Sequence, residues 1–417
     1  MRALKSFGPA IYAKSWPFNG SDVSQARYLL LLGLLLLAAC MPKVKLPVTA
    51  PQALVKIRPH QFPDFSDDMS YSSLEAAIDQ SLDYLNRVDA STAFRFGPDT
   101  FTASHLAKSM KAFKELMKHN PSAEQLRQAI ETSFWVYRSV GGDSDGKTLF
   151  TGYYEPTLRG SLQPSPDYPY PVYRKPEDWV SIDLGLFNPE YEGQRIVGRY
   201  VNQTVIPYFS REDIDTKGRL QKKGYELLWL SDQIDLYFLQ VQGSGRVLLE
   251  DGKVLHINYD CSNGRPYRSI GRLLINEGRI PEEEGSMQGI RAHLRNHPQD
   301  IQRVFNHNER YTFFRLVDQG PIGAIEVPLT PGRSIATDMS LFPKTALAFI
   351  QTHKPIVGKD GAIKSWEALS RFVLNHDAGA AIRGPGRVDL FWGSGTHAES
   401  EAGHMKHTGR LYFLVMK

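Results

Sequence analysis

Apolar residues recur at helical spacing in three stretches of the N-terminal third. Leu74, Ile78, Leu82 and Leu85 follow Ser72-Ser73, and Leu106, Met110, Phe113 and Met117 follow Thr102. Each stretch predicts a helix with one buried face behind a hydroxyl cap. A third opens at Pro121-Ser122, where Gln125 completes a capping box; it carries Leu126, Ile130 and Phe134 on one side and is expected to end near Gly141-Gly142. After Gly146 the texture changes to short apolar or alternating runs punctuated by Gly, Pro and Asp-Gly, the pattern of a β-rich region. Residues 236–241 read as a strand. Residues 246–249 and 254–257 read as a hairpin around Asp251-Gly252. Helical interludes are expected at 269–277 and 287–295, and the apolar run 410–415 reads as a buried closing strand.

A different apolar pattern precedes the helices. The run that begins at Tyr28 and ends in Leu37-Ala38-Ala39-Cys40 has about a dozen apolar residues, short of the roughly 20 that span a bilayer and right for a signal-peptide core. Arg2, Lys5, Lys14 and Arg27 lie ahead of it. Leu37-Ala38-Ala39-Cys40 resembles the lipobox of bacterial lipoproteins, which implies acylation of Cys40 and, with Met41 next, the outer membrane. An ordinary cleaved signal with an incidental cysteine is the alternative. Residues 41 to about 65 hold several prolines without periodicity and read as a tether.

Composition narrows the classes. The chain has 417 residues, 41% hydrophobic and 23% charged, so it folds and has room for two or three domains. Its net charge of +4 suits an anionic polymer but falls short of a nucleic-acid-binding surface. Cys40 and Cys261 are too few for a disulfide framework, and Cys261 reads as an idle thiol. Gly243-Ser-Gly245 lacks the third glycine of a dinucleotide loop, and neither Ser244 nor Ser394 sits in a G-x-S-x-G elbow. His376, His397, His404 and His407 crowd the C-terminus, but His404-x-x-His407 reads as solvated loop rather than metal site, so no metal or cofactor is expected.

The segment from His376 to Gly393 carries the chemistry. It sets Asp377 and Asp389 among small residues, with Phe391 and Trp392 beside the second carboxylate. Aromatic faces pack on the apolar sides of pyranose rings. A carboxyl in partly apolar surroundings keeps its proton to higher pH and can donate it. Asp377 reads equally as a turn residue. Asp389 alternates with Val388 and Leu390 on a strand, where aspartate is disfavoured without a task or a partner.

This run resembles the 3D domain, named for its aspartates, of the membrane-bound lytic murein transglycosylase A family. Further segments fit the family in order: Thr151-Gly-Tyr-Tyr-Glu-Pro156, Tyr170-Pro-Val-Tyr-Arg174, Val241-Gln-Gly-Ser-Gly-Arg246, Pro266-Tyr-Arg-Ser-Ile-Gly271, Ser286-Met-Gln288 and Gly323-Ala-Ile-Glu-Val-Pro-Leu329. The likeness covers about 148 to 417. It departs at His376, where the family has Gln, and at Ala380, where it has a second Gly. The resemblance implies a mainly β fold with N-terminal helices, in which a double-psi β-barrel (66–156 and 316–417, with the 3D motif at 370–417) is interrupted by a smaller β-barrel-like insert (157–315). It implies Asp389 as the catalytic carboxyl and Thr151 as a groove residue. Tyr153, Tyr154, Gln242, Gly243, Ser244, Asp377, Phe391 and Trp392 are candidate substrate contacts, with Gln240 on the opposite wall.

The expected reaction is cleavage of peptidoglycan glycan strands with formation of 1,6-anhydromuramic ends, which needs one carboxyl group. Two readings compete. Glu155 as a second carboxylate makes a hydrolytic muramidase, and a silent barrel makes a wall-binding lipoprotein. Cell-wall synthesis or division proteins are the expected partners.

Overall fold

The computed structural model describes residues 48–358 and 361–417. Cys40 and the apolar run before it lie outside the described residues. Residues 48–65, expected within a tether, instead fold against the body. Helix α1 (Ala50–Ala53) leads into strand β1 (Leu54–Lys56), and Ala53, Leu54, Ile57 and Phe65 are buried. Nothing local marks them as core; the strand that receives β1 lies some 80 residues away, at β4 (Phe134–Ser139), where Leu54 pairs with Ser139.

Helices α2 (Leu74–Arg87) and α3 (Ala103–Lys118) match their periodic stretches. Between them, β2 (Ala93–Phe96) and β3 (Asp99–Thr102) form a hairpin. Thr102 caps α3 by accepting from the His105 amide at 3.2 Å, and Leu106, Met110 and Phe113 are its buried stripe. Helix α4 (Ala123–Ser133) opens on the Ser122/Gln125 capping box but stops at Ser133, not at Gly141-Gly142. Phe134-Trp-Val-Tyr137 switches there to period two, and the strand β4 gains a ladder with the C-terminal strand.

β5 (Thr148–Glu155) is the last strand before the chain enters the insert. There β6 (Thr157–Ser161), β7 (Tyr170–Tyr173), β11 (Glu226–Leu230), β12 (Ser244–Leu248), β13 (Val254–Ser262) and β14 (Thr312–Val317) form one sheet in the order β14-β13-β12-β6-β11-β7. β8 (Trp179–Asp183), β9 (Arg195–Val201) and β10 (Thr204–Pro207) form a small antiparallel sheet of their own. The expected hairpin is the β12–β13 pair, with Leu248 opposite Val254. Residues 236–241, read as a strand, are the middle of helix α5 (Gln233–Gln242). Asp232 caps it through the Ile234 and Asp235 amides, and Gly243, at φ 85°, ends it. Ile234 and every residue from Leu236 to Gln240 are buried, so the helix shows no polar stripe and its period is invisible. Helices α6 (Ile270–Asn276), α7 (Met287–Asn296) and α8 (Ile301–His307) complete the insert.

After β14 the chain supplies β15 (Ser334–Ala336), β16 (Leu347–Val357), β17 (Ile363–Asp377), β18 (Arg387–Ser394), helix α9 (Thr396–His404) and β19 (Lys406–Met416). Strands β19-β16-β17-β15-β18-β5 hydrogen-bond in that order, and β5 pairs back to β19, closing a six-stranded barrel. The pairs β15/β17 and β18/β5 are parallel and the others antiparallel. β19 moves from β16 to β5 at Gly409, where a Cβ would lie 2.1 Å from the Gln351 carbonyl oxygen. Closure leaves this ring no free edge.

Phe349 and Phe372 face each other in register at the centre of one core that includes Val388, Leu390, Leu411 and Phe413 together with Leu106 and Phe113 of α3. Each such buried side chain contributes roughly 1.5–3 kcal/mol. The mainly β fold with N-terminal helices and a double-psi barrel is therefore as expected from the sequence, with more helix in the insert. Among the described residues, no helix is long and apolar enough to cross a membrane.

Candidate active site

Strand register aligns a row of side chains across the barrel wall. Lys406 of β19 pairs with Thr151 of β5, Thr151 with Asp389 of β18, Asp389 with Ala336 of β15, and Ala336 with Asp377 of β17. Directly opposed residues share a face, so both carboxylates lie on one side of the sheet with small Ala336 between them.

Asp389 is partly exposed at the edge of an apolar setting that includes buried Ala336 opposite it and buried Phe391 two residues further along the same face of β18. Desolvation pushes its carboxyl up to about 6, and the more distant charge of Asp377 adds to this, against the Thr151 hydrogen bond and the Arg387 charge, which pull it down. Thr151 Oγ1 donates to Asp389 Oδ1 at 2.8 Å and accepts from Arg387 Nη2 at 3.3 Å. A donor on Oδ1 leaves the proton of the neutral acid to Oδ2.

Asp377 is differently placed. Its Oδ2 accepts from the Tyr153 hydroxyl at 2.8 Å, and its Oδ1 accepts from the amides of Ala324 and Ala378 at 3.0 and 2.9 Å. Burial raises its pKa while these three donors oppose the rise. The Ala324 bond ties the loop after β14 to the barrel, and two bonds from Arg87 to the Ile325 and Glu326 carbonyls tie it to helix α2.

A cavity of about 420 Å³ opens beside the row, between barrel and insert. Thr151 and Tyr154 line it from β5, Gln242 and Met287 from the insert, Trp366 from β17 and Lys406 from β19. Asp389 is not on its wall but stands one hydrogen bond behind Thr151. Gly152 also lines it; a Cβ there would meet Trp392 Nε1 at 2.6 Å, so only glycine lets the indole close against the strand.

The remaining candidates divide. Gln242 faces the cavity and its Oε1 accepts from the Tyr154 amide at 3.0 Å. Tyr154 lines the cavity and donates to Glu399 at 2.9 Å. Gly243 caps α5, and Ser244 is buried at the start of β12. Tyr153 is buried against Phe391, its pKa held well above the usual value by desolvation.

Phe391, expected to hold a sugar ring, is 1% exposed among Tyr153, Leu329, Ala336 and Ile382. It lies on the same face of β18 as Asp389 and is covered there by Leu329 and Ile382 of the flanking loops, while Trp392 faces Gly152 and Met405. Glu155 is buried where β5 leaves the barrel, its Oε1 3.7 Å from His256 Nδ1, and burial raises its pKa.

The histidines also differ from expectation. His404 ends α9 and His407 lies in β19, so neither belongs to a loop. His376 is fully buried between Ser81 and Ser334 hydroxyls, each 2.9 Å away, and desolvation lowers its pKa to about 3. It is a neutral strut between α2 and the barrel. Among the described residues, no cluster of three or more His, Cys, Asp or Glu side chains could hold a metal ion.

Trp366, Met287, Glu399 and Lys406 were not singled out from the sequence. Trp366 alone left a signal, as a large aromatic in the otherwise polar run Lys364-Ser-Trp-Glu367.

The MltA specific insert domain matches residues 149–315 and the 3D domain matches residues 333–415. The membrane-bound lytic murein transglycosylase A of Escherichia coli (strain K12) is 31% identical over 282 residues, 67% of this chain and 68% of that protein. The crystal structure of a membrane-bound lytic murein transglycosylase from Agrobacterium tumefaciens superposes with a TM-score of 0.71 at 31% identity, covering 87% of this chain and 98% of the other. E. coli MltA with bound chitohexaose shares the fold at 24% identity, TM-score 0.67, covering 90% and 97%.

Proposed function

Because the chain belongs to the membrane-bound lytic murein transglycosylase A family, we propose that it cleaves the β-1,4 bond between N-acetylmuramic acid and N-acetylglucosamine in peptidoglycan, leaving 1,6-anhydromuramic ends. One observation carries the reading: the desolvated carboxyl of Asp389 has one oxygen held by Thr151 and the other without a protein hydrogen bond among the described residues.

Protonated Asp389 gives its Oδ2 proton to the linking oxygen as the C1–O bond breaks, and the N-acetylglucosamine side leaves as an alcohol. The carboxylate then takes the proton of the muramic C6 hydroxyl while O6 bonds to C1. The acid is regenerated and no water is consumed. Attack within one ring replaces both the nucleophilic side chain and the activated water. Thr151 holds the carboxyl in one orientation and, by donating, stabilises the carboxylate of the second half.

The muramidase alternative finds less support. Asp377 has three donors on its two oxygens, and Glu155 lies at the insert junction facing His256. Neither is free to act as nucleophile or base for water beside Asp389.

Mass spectrometry of digested sacculi tests the proposal. Anhydromuramic ends are expected; reducing ends that incorporate water would assign a hydrolase, and undegraded polymer co-sedimenting with the protein would assign a binder. The same reading places the barrel at 66–156 and 316–417 around the insert 157–315, and anchors the chain through acylated Cys40 to the outer membrane. Cys40→Ala is then expected to move the protein from the membrane to the soluble fraction.

A further inference from the structure

Strands β16 and β17 run far past the barrel. β19 pairs with β16 only from Ala348 to Gln351, and β15 meets β17 only from Leu374 to Asp377, yet the β16–β17 pairing continues outward to Val357 opposite Ile363. The outer part is a two-stranded ribbon, with residues 361–368 all exposed. Such ribbons are marginal alone. This one carries Trp366 and Ile363, 37% and 40% exposed.

A register shift decides where those side chains go. Trp366 pairs with Pro355 and Ser365 with Ile356, but Val357 pairs with Ile363, so Lys364 is the extra residue of a bulge. In an unbroken strand, residues three apart face opposite sides. The bulge moves Ile363 to the side that Trp366 occupies. Both then line the 420 Å³ cavity that Thr151 also lines. The same face is braced by the barrel: His407 of β19 lies 5.3 Å from the Trp366 ring and 4.4 Å from that of His353. His407 follows Lys406, the residue paired with Thr151.

Resting on the peptidoglycan reading of the site, we propose that the bulged ribbon is one wall of the glycan groove and that Trp366, with Ile363, is the platform on which a pyranose ring of the bound strand packs. The apolar surface faces a cavity that Thr151, the hydrogen-bond partner of Asp389, also lines, together with the apolar Met287 and the polar Gln242 and Ser286 of the insert. An apolar wall opposed by a few amide and hydroxyl groups suits a sugar, which is apolar on its faces and polar around its rim. Four strand spacings along β17-β16-β19-β5-β18, roughly 19 Å, separate Trp366 from Asp389, so the ring it holds is not the one that reacts. Contact that far from the chemistry is the same in ground and transition states, and its loss appears in KM rather than kcat.

The test uses the whole protein, with sacculi as substrate and a peptide-free N-acetylglucosamine hexamer as calorimetric probe. Trp366→Ala is expected to raise KM and weaken hexamer binding by roughly five- to tenfold at unchanged kcat, with an unaltered circular dichroism melt. Trp366→Phe, which keeps a ring, is expected to stay within about threefold of the parent. Ser365→Ala, on the opposite face, is the control. Hexamer binding unchanged in Trp366→Ala overturns the proposal, as does weakening confined to sacculi, which would assign the platform to the stem peptide. Should Trp366→Ala not fold, Trp366→Phe and Ile363→Ser carry the test: equal affinity in both overturns the proposal. Full turnover in Asp389→Asn would instead overturn the underlying reading of the site.

Discussion

Barrel and insert treat buried polar groups in opposite ways. In the barrel and its N-terminal helices they are satisfied. Arg333, fully buried, bonds Asp67 with both terminal nitrogens, at 2.6 and 2.9 Å, and also reaches the Ser72 and Phe372 carbonyls. Arg371 holds both oxygens of Asp68 through Nε and Nη2, and both nitrogens of His376 have hydroxyl partners. Among the described residues, every buried side-chain nitrogen or oxygen without a protein partner lies between Glu155 and Arg315, on Gln240, Arg246, His256 and His293 among others. The hydrophobic interior divides likewise, into one large core with two small clusters beside it for the barrel and its helices, and three separate clusters for the insert. Unsatisfied groups and divided cores mark regions that open at lower free energy. The row that holds Asp389 therefore sits on the stiff part, and the opposite cavity wall on the part able to adjust.

The largest expected effect tests the barrel side. Asp389→Asn keeps an acceptor for Thr151 but has no proton to give, so release of muropeptides should fall by about 10²- to 10⁴-fold. Because the variant also removes a desolvated carboxylate, its melting temperature should not fall; a marked drop would make the loss a folding defect. Next, Arg333→Met strands Asp67 in the interior and should cost roughly 3–5 kcal/mol in urea denaturation. A cost below about 1 kcal/mol would erase the contrast between the two regions.

A smaller effect concerns pH. With the Asp389 carboxyl at about 6 and the acid form required, kcat/KM should fall about tenfold per unit above pH 6. The Thr151 hydrogen bond favours the carboxylate, so Thr151→Val raises the pKa and moves this limb to higher pH, besides slowing the reaction. A shift to lower pH would contradict the assignment. Smallest is Gln240→Leu in the insert, where both side-chain polar atoms lack partners. It is expected to be neutral or stabilising by up to about 1 kcal/mol, the reverse of Arg333→Met.

Much of this was legible along the chain. Thr102 and the Ser122/Gln125 box marked helix starts because caps are local. The β12–β13 hairpin followed from Asp251-Gly252 between apolar runs. Asp389 stood out as an aspartate within a strand-like alternation beside small residues. The errors have a common source in burial by distant segments. Helix α5 is covered on all sides and so lost its period; β4 cut α4 short because a strand from the far end of the chain pairs with it. Phe391 and Trp392 were indistinguishable as sugar contacts until distant loop residues, Leu329 and Ile382, covered the first of them.

What the sequence by itself determined is the inventory: the capped helices, the strands and their turns, and a set of three acids, Glu155, Asp377 and Asp389, near aromatic residues. The surroundings that distinguish these acids came from tertiary structure. A carboxyl's proton affinity depends on what desolvates it and what donates to it, and for Asp389 that donor is a hydroxyl 238 residues away in the chain. Barrel closure brings that hydroxyl to one oxygen of Asp389. It surrounds Asp377 with donors and leaves Glu155 at the junction with the insert.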